Sequence, residues 1–325
     1  MKRVIPLVFI FLVLFSFVRL SAVKEYKLVP KRDKNTTMRV AFVSSPARFP
    51  DQILLSRGIK MMESKNLKVI KGRSCSVYLS DQEKARELEE AFANPEVDFI
   101  IASRGGHGSF RLLEYLDWER IKQNPKPIVG YSDITALLLA IHFKTGIITY
   151  HGPMVTVELD NDEKSLENML AVLNGEKVIH FAGEREAIVP GKMTGRLIVG
   201  NLSLFKTLQG TEYFGSLKDA ILVLEDVGES RESIERMVWG IANLEEYEEL
   251  RGIIFAGFTN IRNADFEEII EILKSLFSDS PFPVWIGLPV FHGDFPKLTL
   301  PVGAWVSIDM EKGVIEILDD PLLNN

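Results

Sequence analysis

The sequence predicts an α/β protein, on three observations. Short apolar runs of β type alternate with longer stretches of helical period through the first half of the chain. Turns rich in Gly, Ser and Asp follow several of those apolar runs, at Ser103–Ser109 and at Gly130–Asp133. After a polar link the same alternation restarts and continues almost to the end. Strands and helices in this order imply a parallel sheet covered on both faces, whose ligands bind at the carboxyl ends of the strands.

Taken in order, Met1–Ala22 opens with Lys2-Arg3, runs apolar from Val4 to Val18 and closes on Arg19-Leu20-Ser21-Ala22. The run is short for a membrane span and fits a secretory signal. Leu20 is a poor residue three places before a cut after Ala22, so an uncleaved N-terminal anchor is the alternative. Either way the expected location is outside the cytoplasm, in the periplasm or cell envelope. Residues 23–37 form a polar tether, and the fold begins with the strand Met38–Ser44. Asp51 is placed to cap a helix running through Glu63, and Ser80 another carrying Ala85, Leu88 and Phe92. Leu67–Ile70 and Val97–Ala102 are the strands beside them. Pro127–Val129, Gly130-Tyr131-Ser132-Asp133 and the apolar run Ile134–Phe143, closed by Gly146, give strand, tight turn and helix. Ile147–Tyr150 is the next strand, and it exits into His151-Gly152-Pro153-Met154.

Residues 38–160 therefore read as an N-terminal domain, 161–190 as a linker with a helix at Glu163–Leu173, one short strand and a polar link, and 191–325 as a C-terminal domain. In that second domain Gly195–Ser203 is a strand leading into a helix, and Ala220–Leu224 is an apolar strand that ends at Glu225-Asp226. Helix Ser233–Leu244, strand Gly252–Phe258, helix Phe266–Phe277 and strand Val284–Leu288 follow. A hairpin of Trp305–Ile308 and Val314–Leu318 closes the fold.

Composition excludes several function classes. A net charge of −7 and no basic cluster interleaved with aromatics argue against nucleic acid. Cys75 is the only cysteine and the five histidines are scattered, so no internal disulfide forms and no metal or other cofactor is expected.

A serine in a turn between strand and helix has its Oγ pushed out at the strand end, beside free helix N–H groups that stabilise an oxyanion. Ser132 is thus a candidate nucleophile. Capping of the helix by Ser132-Asp133 is the alternative, and Ile134 stands where a complete G-x-S-x-G elbow has its second glycine. Ser103-Arg104-Gly105-Gly106-His107-Gly108-Ser109 brings backbone N–H groups close to a ligand, but carries neither a dinucleotide fingerprint nor a P-loop lysine. His151 is a candidate base or a turn residue. Glu225 stands at a strand exit and His292 on the glycine-containing loop Pro289–Gly293.

Together these blocks resemble the LD-carboxypeptidase family of serine peptidases, which includes the microcin-immunity peptidases. The resemblance spans Val40 to Ile308 and rests on Arg104-Gly105-Gly106 through Leu113, Gly130–Leu137, His151–Met154, Gly200-Asn201-Leu202, Leu224-Glu225-Asp226, and Gly287-Leu288-Pro289 with His292-Gly293. It implies an N-terminal doubly wound parallel-sheet domain carrying the serine and a C-terminal β-rich α/β domain carrying a glutamate and a histidine. Ser132, Glu225 and His292 fall on the family's catalytic positions. The expected oxyanion donors are the backbone amides of Gly105, Gly106 and Asp133. Arg104 and Asn201 are expected at the substrate; the alternative for Arg104 is to brace its loop by pairing with Asp133 or Glu114. The implied activity is removal of a terminal D-alanine from murein tetrapeptides by a homodimer that touches the membrane only through any N-terminal anchor. A microcin-immunity-like amidase and a non-catalytic cell-wall peptide binder are the alternatives. Three departures from the family pattern, at His107, Val199 and residues 232–236, lie beside the trio and bear on substrate rather than on reaction type.

Overall fold

The computed structural model describes residues 39–319. The expected targeting segment 1–22 and tether 23–37 lie outside the described residues. The first half alternates β1 (Arg39–Ser44), α1 (Gln52–Ser64), β2 (Leu67–Lys71), α2 (Asp81–Ala93), β3 (Phe99–Ala102), α3 (Trp118–Gln123), β4 (Ile128–Gly130), α4 (Thr135–Thr145) and β5 (Thr149–His151). It continues through α5 (Glu163–Leu173), β6 (Val178–His180), β7 (Glu186–Val189), β8 (Met193–Asn201), α6 (Leu202–Leu208), β9 (Ala220–Val227), α7 (Arg231–Ala242) and β10 (Gly252–Thr259). The last elements are α8 (Phe266–Phe277), β11 (Val284–Ile286), β12 (Leu300–Val302), β13 (Trp305–Asp309) and β14 (Val314–Ile317).

Local chemistry starts the early helices where expected. The Asp51 side chain accepts from the N–H groups of Ile53 and Leu54, and Ser80 with Glu83 closes a capping box at the start of α2. The first sheet runs β2-β1-β3-β4-β5-β12, with β1 to β5 all parallel. The parallel strands agree with the doubly wound sheet expected for the N-terminal domain. All four residues of β3 are buried, as a strand covered on both faces requires.

The second sheet runs β6-β14-β13-β8-β9-β10-β11-β7. Its centre, β8 to β11, is parallel, and its flanks are antiparallel. Two boundaries differ from the sequence reading. Residues 161–190 contain α5 but also β6 and β7, which pair with β14 and β11 and so belong to the second sheet rather than to a linker. Where one short strand is expected there are two, both outer strands, β6 buried only at Ile179 and β7 half-buried along its length. Segment β12, in turn, leaves the C-terminal region and pairs antiparallel with β5 at the edge of the first sheet.

The join between the two sheets is made by α4. Thr135 to His142 and Thr145 are buried, so the helix is apolar all round, as a helix packed on several sides must be. It lies against β4 and β5 on one side and against β8 and α6 on another. Leu137, Leu138, Leu139 and Ile141 are wholly buried, each worth about 1.5–3 kcal/mol relative to exposure. At its first turn, Thr135 Oγ1 accepts from the backbone N–H of Asn201 at 3.0 Å. The approach is possible because residue 200 is glycine: a Cβ there would lie 2.3 Å from Thr135 Cγ2. Thr135 is β-branched and wholly buried, so it has no room to yield. Gly200→Ala is therefore expected to destabilise the protein by about 1–3 kcal/mol through overpacking, read as a lower urea midpoint at unchanged m-value.

Candidate active site

The serine turn begins where β4 ends. Tyr131 is extended, and Ser132 takes the left-handed conformation at φ 60°. A non-glycine residue there carries of the order of 1–2 kcal/mol of strain, which persists only where the surroundings fix it. What fixes it is Asp133. Its buried carboxylate accepts from the N–H groups of Gly108 (3.2 Å) and Ser109 (2.8 Å), and its carbonyl accepts from the Ser109 hydroxyl. The side chain of Asp133 thus clamps the glycine loop to the turn. Ser132 does not cap α4, whose start has no side-chain cap, and its hydroxymethyl group is half-exposed.

The glycine loop comes within contact of the serine. A Cβ built on Gly105 would stand 2.9 Å from Ser132 Cβ, 3.0 Å from its Oγ and 3.5 Å from the Asp133 nitrogen. Only glycine permits that approach, and it sets backbone beside the hydroxyl. Gly106, at φ 132°, turns its α-carbon toward Arg48. Among the described residues no hydrogen bond occupies the backbone N–H of Gly105 or Gly106. Arg104 is half-buried, and its Nε is buried without a partner. Neither Asp133 nor Glu114 pairs with it among the described residues, and the Asp133 carboxylate is instead taken up by the two loop amides.

Glu225 lies within β9, which continues past the expected exit to Val227, and it is wholly buried. His292 Nδ1–H donates to its Oε2 at 2.7 Å. That bond gives the neutral imidazole its proton on Nδ1 and leaves Nε2 as the free acceptor. Burial pushes the Glu225 carboxyl up, but the His292 hydrogen bond and the His292, His151 and Asn201 dipoles and charges outweigh it, and the net shift is downward. Glu225 is therefore held as the anion that an imidazole base needs behind it. The His292 ring packs on Tyr131, the residue before the serine, at 4.9 Å between centroids.

Asn201, expected at the substrate, sits behind the glutamate instead. It is buried, its amide donates to Glu225 Oε1 (3.4 Å) and Asp226 Oδ1 (2.8 Å), and its carbonyl oxygen accepts from the Leu204 N–H. Its side chain is committed on both ends. Asp226 also takes the N–H and hydroxyl of Ser203, and burial raises its pKa despite those bonds. His151 is not poised as a base: it is buried, and its Nε2–H donates to the Val290 carbonyl at 2.9 Å, two residues before His292.

Four neighbours carried no sequence signal. The Tyr131 hydroxyl donates to Glu158 (2.7 Å), and Lys297, also wholly buried, lies 3.8 Å from the same carboxylate. Ser165 and Asn168 accept the N–H groups of Lys297 and Thr299, both at 2.7 Å. The contacts join residues 131–168 to residues 297–299, a separation that no local pattern reveals.

A strained, half-exposed serine under a glycine loop, with a carboxylate-held imidazole against the adjacent tyrosine, gathers residue types that a hydrolase uses. Comparison with known proteins agrees with the class. The profile of the LD-carboxypeptidase N-terminal domain matches residues 40–152, and that of the LD-carboxypeptidase C-terminal domain matches residues 194–308. The chain belongs to the LD-carboxypeptidase family and is a peptidase. It is 32% identical over 288 residues to a putative carboxypeptidase of Synechocystis, covering 86% of this chain and 94% of that one. A probable murein peptide carboxypeptidase of Bacillus subtilis is 29% identical over 275 residues, with 81% and 86% covered. The microcin C7 self-immunity protein MccF of Escherichia coli is 28% identical over 318 residues, with 86% and 92% covered. A solved structure of that immunity protein shares the fold, with a TM-score of 0.80 over 91% of this chain and all of the other at 24% identity.

His151 makes stability depend on pH. Burial holds its pKa down at about 4, against an ordinary 6.5. As pH falls below about 6.5 the unfolded chain takes up this proton first, so the stabilisation is complete above that value and is lost down to about pH 4. Urea unfolding is expected to show this group costing about 2 kcal/mol between pH 7 and pH 5. The His151→Gln variant keeps a donor for Val290 and should be that much less sensitive to the same change; equal sensitivity would exclude the assignment.

Proposed function

We propose that this protein is a serine carboxypeptidase that hydrolyses the L,D-peptide bond before the terminal D-alanine of murein tetrapeptides. The observation that carries the reading is the left-handed Ser132 against Gly105, next to Tyr131, on whose ring packs a His292 held by the buried Glu225. In this mechanism His292 Nε2 takes the proton of Ser132 Oγ as that oxygen attacks the scissile carbonyl. The amides of Gly105, Gly106 and Asp133 receive the oxyanion. The imidazolium, stabilised by Glu225, then protonates the departing D-alanine nitrogen, and water attacks the acyl-enzyme by the same route in reverse. Asn201 acts here through Glu225, by holding its carboxylate. The murein assignment draws support from the Bacillus subtilis relative's name, and the expected export of the chain as a homodimer suits a cell-wall substrate. The relationship to the microcin immunity protein supports a second reading, an amidase acting on an aminoacyl-nucleotide type of toxin. Incubating the purified protein with tetrapeptide muropeptides and following the mass for loss of one alanine separates the two.

Ser132→Ala, Glu225→Gln and His292→Ala are each expected to lower kcat by roughly a thousandfold or more while leaving the fold intact by circular dichroism. Because the three act as one unit, the triple variant should be little slower than Ser132→Ala alone. Near-normal turnover by Ser132→Ala would remove the mechanism.

A carboxypeptidase must also recognise a free carboxylate, and a planar guanidinium suits that task. Arg104 opens the loop that touches the serine and has a buried, unpartnered Nε. Arg104→Lys is expected to raise KM for the tetrapeptide roughly tenfold with a smaller change in kcat. Kinetics with the free acid and its C-terminal amide decide the point: an unchanged preference for the acid would clear Arg104 of the role.

A further inference from the structure

Lys297 is the one wholly buried lysine side chain among the described residues, and the proposed mechanism gives it no task. A buried ammonium is costly unless its charge and its three donors find partners. Here it donates to the Phe291 carbonyl, lies 3.8 Å from Glu158 Oε1, and stands 5.0 Å above the Tyr131 ring and 4.4 Å above that of Phe295. Three of these partners adjoin the site. Phe291 immediately precedes His292, Tyr131 immediately precedes Ser132, and Glu158 accepts the Tyr131 hydroxyl while its other oxygen takes the Met154 N–H at 3.0 Å. The carbonyl one residue earlier, on Val290, is held by His151. Two successive carbonyls ahead of the histidine are thus pinned by buried donors, one from the first sheet and one from Lys297.

Apart from its bond to Glu225, the described contacts give His292 only the face of Tyr131 for support, and residues 293 and 294 after it are exposed. Its aim toward the serine turn therefore depends on how the preceding backbone is fixed. We propose that Lys297 is a positioning residue for the reaction: by tying the Phe291 carbonyl to the Tyr131–Glu158 pair, it sets the His292 imidazole at the distance from Ser132 that proton transfer requires. The inference rests on His292 being the base. Misplacing a base by about an ångström costs about a hundredfold in rate without weakening ground-state binding. Lysine acts here through the loop and not on the substrate, so its loss reads in kcat and not in KM.

The test compares wild type with Lys297→Met, Lys297→Arg and His292→Ala in two assays. One is steady-state hydrolysis of the tetrapeptide. The other is the rate at which a fluorophosphonate labels Ser132, which needs the serine and its base but not the natural substrate. Lys297→Met is expected to lose ten- to a hundredfold in kcat and in labelling rate per folded molecule at unchanged KM. Lys297→Arg, which keeps a charged donor, should recover at least part of that loss. Wild-type kcat and labelling by folded Lys297→Met, with His292→Ala inactive, overturns the positioning role alone. Undiminished labelling in His292→Ala overturns the base assignment and the role of Lys297 with it. Should the methionine variant not fold, Glu158→Gln reads the same tie, since it keeps an acceptor for Tyr131 but removes the charge partner of the ammonium. A several-fold drop in labelling is then expected, and a wild-type rate overturns the proposal.

Discussion

The contact between Thr135 and the Gly200-Asn201 backbone is the constraint on which the rest of the molecule depends. It fixes the first turn of α4 to the end of β8. Thr135 follows Ser132 by one helical turn, and Asn201 is paired in register with Glu225 on β9. One hydrogen bond and one missing Cβ therefore determine how far the serine turn stands from the carboxylate. A side chain at residue 200 would part the sheets at the point where the site is assembled.

Around that contact the protein holds more buried charge than a stable core would select. Glu225, Asp226, Glu158, Lys297 and Asp133 are all removed from water. Burying a carboxylate is unfavourable by several kcal/mol unless hydrogen bonds replace its hydration. Each of these carboxylates has such bonds, from Asn201, Ser203, His292, Tyr131 or the loop amides, and the Lys297 ammonium donates to the Phe291 carbonyl. Carboxylates satisfied in this way are rigid, and rigidity is what a preorganised proton-transfer site requires. The strain at Ser132 belongs to the same design, since a left-handed serine is kept only where Asp133 and the glycine loop leave it no relaxed alternative.

The histidine loop shows how a site built from two halves is closed. Residues 289–299 lie between β11 in the second sheet and β12 in the first, so the segment carrying His292 spans the join. His151, Ser165 and Asn168 hold it from the N-terminal side, and Glu225 receives its imidazole from the other.

The sequence by itself determined the local architecture. Apolar runs and capping residues located α1, α2, α4, α5, α8 and the central strands to within a few residues, because those signals arise from neighbours along the chain. The family's motif blocks drew attention to Ser132, Glu225 and His292, and glycine spacing identified the loop at residue 105. Only the tertiary structure decided the rest. Where the short strands β6, β7 and β12 pair is decided far along the chain, by the partners that supply their hydrogen bonds. Asn201 reads as a polar residue at a strand end, and Asp133 as a helix-start residue. The first turns inward to two carboxylates and the second clamps a loop twenty-odd residues away. Lys297 carries no motif or spacing that marks it in the sequence. Its burial follows from the crossing of β12 to the first sheet, a long-range pairing that brings its side chain to Glu158 and the Tyr131 ring and that no window of sequence encodes.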